Sequence, residues 1–253
     1  EAGKHVFCEK PIALNLDEAE GMISAAKKHN VKLQIGFMRR FDPEFKRAKS
    51  LIEQGEIGKP VLIKSVGRGP GLPPKWACVP EMSIGMLAEV NSHDFDSIRW
   101  FMECEISSLY ALAGAYICQK LVEEFPEFYD VAVVCLRLSN GSLGIIDGGC
   151  PVGYGYDARV EILGTEGLLS VGELPRSSLL ICRKEKVLMT ETFQSWRERF
   201  KDAYLAEAQH FVNCILTDSE PSVTGMDGKK ALEAVLAATE SIRRREIVYL
   251  PLR

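Results

Sequence analysis

The sequence predicts the closing part of a doubly wound α/β unit, followed by an α+β unit with a large, mostly antiparallel sheet. Three observations predict it. Residues 5–54 alternate apolar runs with amphipathic stretches in the order strand, helix, strand, helix. From Ile106 to Thr190 one strand-like run follows another, separated by turn residues. The tripeptide Glu9-Lys10-Pro11 closes the first strand, the end at which doubly wound sheets bind their ligands.

His5-Val-Phe-Cys8 is a short continuous apolar run of the kind buried in a parallel sheet. Asn15 caps the following helix, with Glu18 at the capping-box position. Leu16, Ala19, Met22, Ile23 and Ala26 recur at helical spacing. Lys27, Lys28 and His29 occupy the last turn, and Asn30 ends it. Val31–Phe37 reads as the second strand. Asp42-Pro43 opens a second helix with proline at the first helical position. Phe45, Ala48, Leu51 and Ile52 form its buried face, and Gly55 stops it. Pro60–Val66 reads as a strand, 67–74 as a Gly/Pro-rich loop and 84–102 as one helix. Strand-like runs then cover 106–117, 129–138, 141–147, 159–163, 168–171, 179–183 and 186–190. Turns are expected at Asn140-Gly141, 164–167 and Lys184-Glu185. Two helices, 199–217 and 226–244, precede a closing strand, Val248–Leu250. A doubly wound sheet needs more than two parallel strands, so the others are expected upstream of Glu1.

Composition narrows the classes. At 46% hydrophobic and 26% charged residues, the chain is an ordinary globular sequence. A net charge of -4 provides no basic field for nucleic acid, and Arg243-Arg-Arg245 is too short to form one. No apolar stretch approaches the ~20 residues that cross a bilayer, so no membrane partner is expected. Eight scattered cysteines include no CxxC pair and mostly sit in apolar runs, as expected of a reducing, cytoplasmic setting. Asn140-Gly-Ser142 fits a glycosylation sequon but is more simply a hairpin turn.

Two groups could carry chemistry. Pro11 biases Lys10 away from the helical region, which ends the strand and holds the lysine in an extended turn. An ammonium there could stabilise negative charge on a substrate oxygen; it reads equally as a surface lysine. His93 follows Glu89 by four residues, so on one helix they would share a face. A carboxylate beside an imidazole fixes its tautomer and suits a general base; an exposed ion pair or an ordinary helix-borne histidine fits the spacing too. No further His or Cys stands at ligand spacing, so no metal is expected. Gly153-Tyr-Gly-Tyr-Asp-Ala158 formally matches GxGxxA. A strand-like run follows it instead of a helix, so it is not a phosphate loop.

Four stretches in order resemble the Gfo/Idh/MocA oxidoreductases, and most of all their inositol dehydrogenase branch. They are Gly3–Pro11, Gly36–Asp42, Glu89–Trp100 and Tyr156–Gly167, and the match runs nearly the length of the chain. The resemblance implies an NAD- or NADP-dependent enzyme that exchanges hydride with a hydroxyl of a polyol or sugar such as inositol. It implies that residues 1–58 end a Rossmann domain, to which 245–253 could add a closing segment. Residues 59–253 would then form an α/β domain for substrate binding and oligomerisation. Lys10 and His93 map onto the catalytic lysine and histidine. Glu89 stands where the inositol branch has aspartate, and would orient His93. Glu9, Lys10, Pro11 and Arg39 map onto the cofactor; Arg40, Arg68, Asn91 and Tyr156 are candidate substrate contacts, or equally surface ion pairs, a helix-surface amide and a packed aromatic. The family's Gly-rich phosphate loop is absent from this chain, so NAD is expected to bind poorly or not at all. The expected partners are a small polyol or sugar and further copies of the chain, as dimer or tetramer. A non-catalytic sugar or nucleotide sensor on the same fold, or an inactive truncated piece, are the alternatives.

Overall fold

The computed structural model describes residues 2–72, 74–79, 82–184 and 188–252. β1 (Val6–Glu9) and β2 (Leu33–Gly36) pair in parallel, joined by helix α1 (Leu16–Lys28). Asn15 caps α1 by accepting from the Glu18 amide, and the Glu18 carboxylate accepts from the Leu14 amide at 3.2 Å. A 3₁₀ turn, Met38–Phe41, leaves β2 and leads into α2 (Pro43–Glu53), capped by Asp42.

β3 (Pro60–Arg68) runs two residues beyond the expected strand, so the Gly/Pro loop begins at Gly69. The single helix expected over 84–102 is two: α3 (Met86–Glu89) and α4 (Ser92–Met102), broken at Val90-Asn91. The remaining elements are β4 (Ile106–Gly114), the short α5 (Leu121–Glu124), β5 (Val131–Leu138), β6 (Leu143–Gly149), β7 (Asp157–Gly164), β8 (Leu168–Val171), β9 (Ile181–Cys182) and β10 (Leu188–Met189), then α6 (Trp196–Arg199), α7 (Lys201–Leu216), α8 (Gly225–Arg244) and β11 (Val248–Tyr249). The turn expected at Lys184-Glu185 extends outside the described residues.

Seven strands form one sheet in the order β11-β4-β5-β6-β3-β7-β8. Only the β6–β3 pair is parallel, so the sheet is mostly antiparallel, as expected. The Asn140-Gly141 hairpin joins β5 to β6, and Gly141 takes φ +88°, a conformation that favours glycine. The closing segment does not extend the first sheet: β11 pairs with β4 of the large one, because α8 packs on β4 and returns the chain beside it.

Along β5, Ala132, Val134, Leu136 and Leu138 point to the core while Val133, Cys135 and Arg137 face outward, the period-two pattern of a half-buried strand. Helix α4 is buried on every side except at Trp100, packed against α8 and β3. Such a helix must pair its own charges internally, and α4 carries Asp94, Asp96 and Arg99. Ala231, Ala234, Ala237 and Ala238 of α8 are buried, small enough to let α8 approach α4 and the sheet closely.

Candidate active site

The carboxyl end of β1 opens into a cavity of about 1160 Å³. β1 delivers Glu9 and Lys10, and the α3–α4 segment delivers Glu89 and His93. Tyr156, just before β7, and Tyr204 of α7 complete the wall near these groups.

Lys10 is half-buried, and its Lys10–Pro11 bond is cis. Its Nζ donates to the Glu89 carbonyl at 2.5 Å, its one hydrogen bond among the described residues. An ammonium carries three donors, so two remain for a ligand in the cavity. Burial lowers the Lys10 pKa; the Glu89 and Glu9 carboxylates oppose that shift and Arg39 adds to it. His93 is 6% exposed and meets the Phe37 ring edge-on at 5.7 Å. Its Nδ1 has no hydrogen-bond partner among the described residues. Burial first, then the positive charges of Lys10 and Arg39, push its pKa well below 6.5. The imidazole is therefore neutral at pH 7 and keeps one nitrogen as an acceptor.

A buried polar network fixes the start of α4. Asp94 accepts from Arg39 Nη1 at 2.6 Å, from Ser65 Oγ at 2.6 Å and from Asn91 Nδ2 at 2.8 Å. Asn91 also donates to the Gly67 carbonyl at 3.1 Å. Gly67 is required for this approach, since a Cβ there would lie 2.0 Å from Asp94 Oδ2.

The geometry revises several expectations. Glu89 does not hold His93: the helix break turns its carboxylate to Ser83 Oγ at 3.1 Å and its carbonyl to Lys10. Arg39 is 1% exposed and tied to Asp94, so it lies behind the cavity wall instead of on it. Burial opposes its charge, but Asp94 and Tyr156 outweigh burial and keep it protonated. Arg40 binds Asp96 through Nε at 2.9 Å and Nη2 at 2.6 Å, and reaches Asp227 at 2.9 Å. That network consumes its donors away from the cavity. Arg68 pairs with Asp147 and donates to the Tyr154 hydroxyl at 2.9 Å, also off the cavity wall. Asn91 is fully buried in the network, and Pro11 shapes the turn without lining the cavity. Glu9, Lys10, Glu89, His93 and Tyr156 are the expected residues that do line it.

Sequence reasoning missed Met38, Trp196 and Tyr204, which also line the cavity. Met38 could have been found, because it follows the carboxyl end of β2. Trp196 and Tyr204 arrive from far along the chain and carry no local signal. Among the described residues no three His, Cys, Asp or Glu side chains converge to hold a metal ion.

Residues 45–170 match the GFO/IDH/MocA C-terminal domain, and residues 1–37 match an oxidoreductase family with an NAD-binding Rossmann fold. An uncharacterized oxidoreductase of Bacillus subtilis, YrbE, is 38% identical over 242 residues, covering 96% of this chain and 70% of that protein. The chain belongs to the Gfo/Idh/MocA oxidoreductase family. Within that family, the myo-inositol 2-dehydrogenase of Thermotoga maritima is 34% identical over 99% of this chain and 74% of its own length. The crystal structure of scyllo-inositol dehydrogenase from Lactobacillus casei, with bound NAD(H) and scyllo-inositol, superposes with a TM-score of 0.89 at 33% identity. That match covers 98% of this chain and 74% of the other.

The residues present fit the nicotinamide end of such a cofactor. Glu9 can accept from ribose hydroxyls, and the two open Lys10 donors face the same cavity. Gly36 carries no side chain beneath Glu9; a Cβ there would lie 2.8 Å from Glu9 Oε2. Gly153–Ala158 runs into strand β7 and opens no helix, so it offers no pyrophosphate seat. Among the described residues no helix is long and apolar enough to cross a membrane.

Proposed function

We propose that this protein is an NAD(P)-dependent dehydrogenase acting on a hydroxyl of a polyol or sugar, with inositols the first class to test. The observation that carries this is the Lys10 amino group and a neutral His93 lining one cavity, in a family whose relatives include inositol dehydrogenases. The nicotinamide, when bound, accepts the hydride from the carbon that bears the hydroxyl. His93 takes the hydroxyl proton on its open ring nitrogen, which its depressed pKa keeps unprotonated. Lys10 donates to the same oxygen and stabilises the negative charge that develops as the proton leaves. Glu89 aims Lys10 through its carbonyl, 2.5 Å from Nζ. Tyr156 also lines the cavity; its hydroxyl oxygen accepts from Arg39, which leaves its O–H to donate to a second substrate oxygen.

Incubation with NAD or NADP and a panel of inositols and sugars is expected to give reduced nicotinamide absorbance with at least one of them. Absence of reduction across the panel overturns the proposal. Lys10→Met is expected to lower kcat/KM by about 10²–10³, the usual cost of one lost donor to a developing oxyanion.

The chain is further proposed to form a homo-oligomer through the outer face of its large sheet. Leu112 and Val133 are cross-strand partners on that face, as are Leu163 and Leu168, and all four side chains are exposed. Exposed apolar side chains paired across a sheet face suit an interaction surface. Light scattering is expected to give a multiple of the chain mass, and Val133→Lys to return it to a monomer. The eight unpaired cysteines suit a reducing, cytoplasmic location.

A further inference from the structure

Beneath the cavity lies a buried acid that the proposed reaction does not use. Helix α7 covers the face of β1 and β2 that carries Phe7, Glu9, Gln34 and Gly36, since Phe7 pairs with Gln34 and Glu9 with Gly36. Phe211 meets the Phe7 ring edge-on at 5.8 Å. Gln34 Nε2 donates to the Glu207 carbonyl at 3.2 Å. Tyr204, Glu207 and Phe211 are spaced three and four apart, so they form one stripe on α7 facing that sheet.

Glu207 is 1% exposed, and neither carboxyl oxygen has a hydrogen-bond partner among the described residues. Gln34 is fully buried, and its Oε1 is likewise without a donor. An ionised carboxylate in such a place is costly, and the group keeps its proton instead. Three titratable groups face it: Glu9 from β1, Tyr204 from its own helix and Asp96 from α4. Asp96 is already paired with Arg40. Burial, then the charges of Glu9 and Asp96, push the Glu207 carboxyl up to about 8.

We propose that Glu207 is a positioning residue for Glu9: it remains a neutral acid and turns its O–H toward the Glu9 carboxylate, holding that carboxylate at the cofactor end of the cavity. The proposal rests on Glu9 being a cofactor contact. A protonated Glu207 supplies the donor that its buried surroundings otherwise lack. Once ionised, it faces Glu9 with like charge, and the Glu9 carboxylate is driven from its place. Cofactor affinity therefore falls as the pH rises past the point where Glu207 ionises.

The test is NAD binding, read by quenching of the fluorescence of Trp196, which lines the cavity, across roughly pH 6.5 to 9.5. The dissociation constant is expected to rise by about threefold or more per pH unit above the midpoint, within the tenfold limit for one coupled proton. Glu207→Gln, a neutral donor at every pH, is expected to flatten that limb. Glu207→Ala, which has no donor, is expected to weaken binding throughout. An unchanged limb in Glu207→Gln overturns the proposal. Infrared spectroscopy of the protein without cofactor adds an independent arm. A carboxylic-acid stretch at neutral pH that disappears in Glu207→Gln supports the buried proton, and its absence from the unmodified protein overturns the proposal whatever the protein binds. A Glu9→Gln variant that binds dinucleotide as the unmodified protein does instead overturns the assignment of Glu9 to a cofactor, and with it the positioning role.

Discussion

Replacing His93 by alanine is expected to lower kcat by about 10²–10⁴, the usual contribution of a positioned general base. The loss should come with a change in shape. In the unmodified protein, burial, Lys10 and Arg39 hold the imidazole pKa below its ordinary value of 6.5. Activity should therefore persist as the pH drops through 6.5. It should fall only on the acid side, where the ring takes up a proton and can accept none from substrate. In His93→Ala that acid limb disappears, because the remaining slow reaction no longer depends on this group. A profile of kcat/KM against pH separates this from a folding defect, since misfolding scales the curve and leaves its shape intact. An acid limb that survives unchanged in His93→Ala would show that another group accepts the proton.

Arg40→Leu should have the largest effect on stability. Arg40 and Asp96 are 9% and 1% exposed, and the guanidinium holds the carboxylate through two hydrogen bonds of 2.9 and 2.6 Å. The same guanidinium reaches Asp227, the N3 residue of the α8 capping box, at 2.9 Å. Removing one partner of a buried pair leaves an uncompensated charge, which costs about 3–5 kcal/mol. Arg40→Leu takes both hydrogen bonds from the Asp96 carboxylate, while Arg99 Nη1 stays 3.6 Å from Asp227, so a loss within that range is expected in urea unfolding. The companion change Arg40→Leu with Asp96→Leu should recover much of the loss, because a well-packed apolar pair can replace a buried ion pair. A loss below about 1 kcal/mol in the single variant would mean that Asp96 finds another partner or is protonated at little cost.

Much of the architecture was legible residue by residue. Asn15 and Asp42 cap α1 and α2 through their own side chains. Asn140-Gly141 makes the hairpin it announces. These features depend on side chains reaching backbone groups a few residues away, so a short window contains the whole interaction. The break at Val90-Asn91 was not legible. Residues 84–102 carry helical spacing throughout, and it is the Gly67 carbonyl of β3, 24 positions away, that accepts the Asn91 amide at 3.1 Å.

The candidate site divides along the same line. By itself, the sequence determined that Lys10 stands at a strand end beside a proline, and that His93 rides a helix in a family-specific stretch. Only the tertiary structure decided which polar groups face the cavity. Arg39 and Arg40 look like free cations in the sequence, yet Asp94 lies 55 positions from Arg39, and Asp96 and Asp227 lie 56 and 187 from Arg40. Burial removes water as a competitor, so each of these charges must take its partner wherever the packing brings one. The same packing turns the Glu89 carboxylate from His93 to Ser83, gives its carbonyl to Lys10, and leaves Glu207 without a donor beneath Glu9. Local spacing set where the groups lie along the chain; desolvation in the packed core set which of them remain available to a ligand.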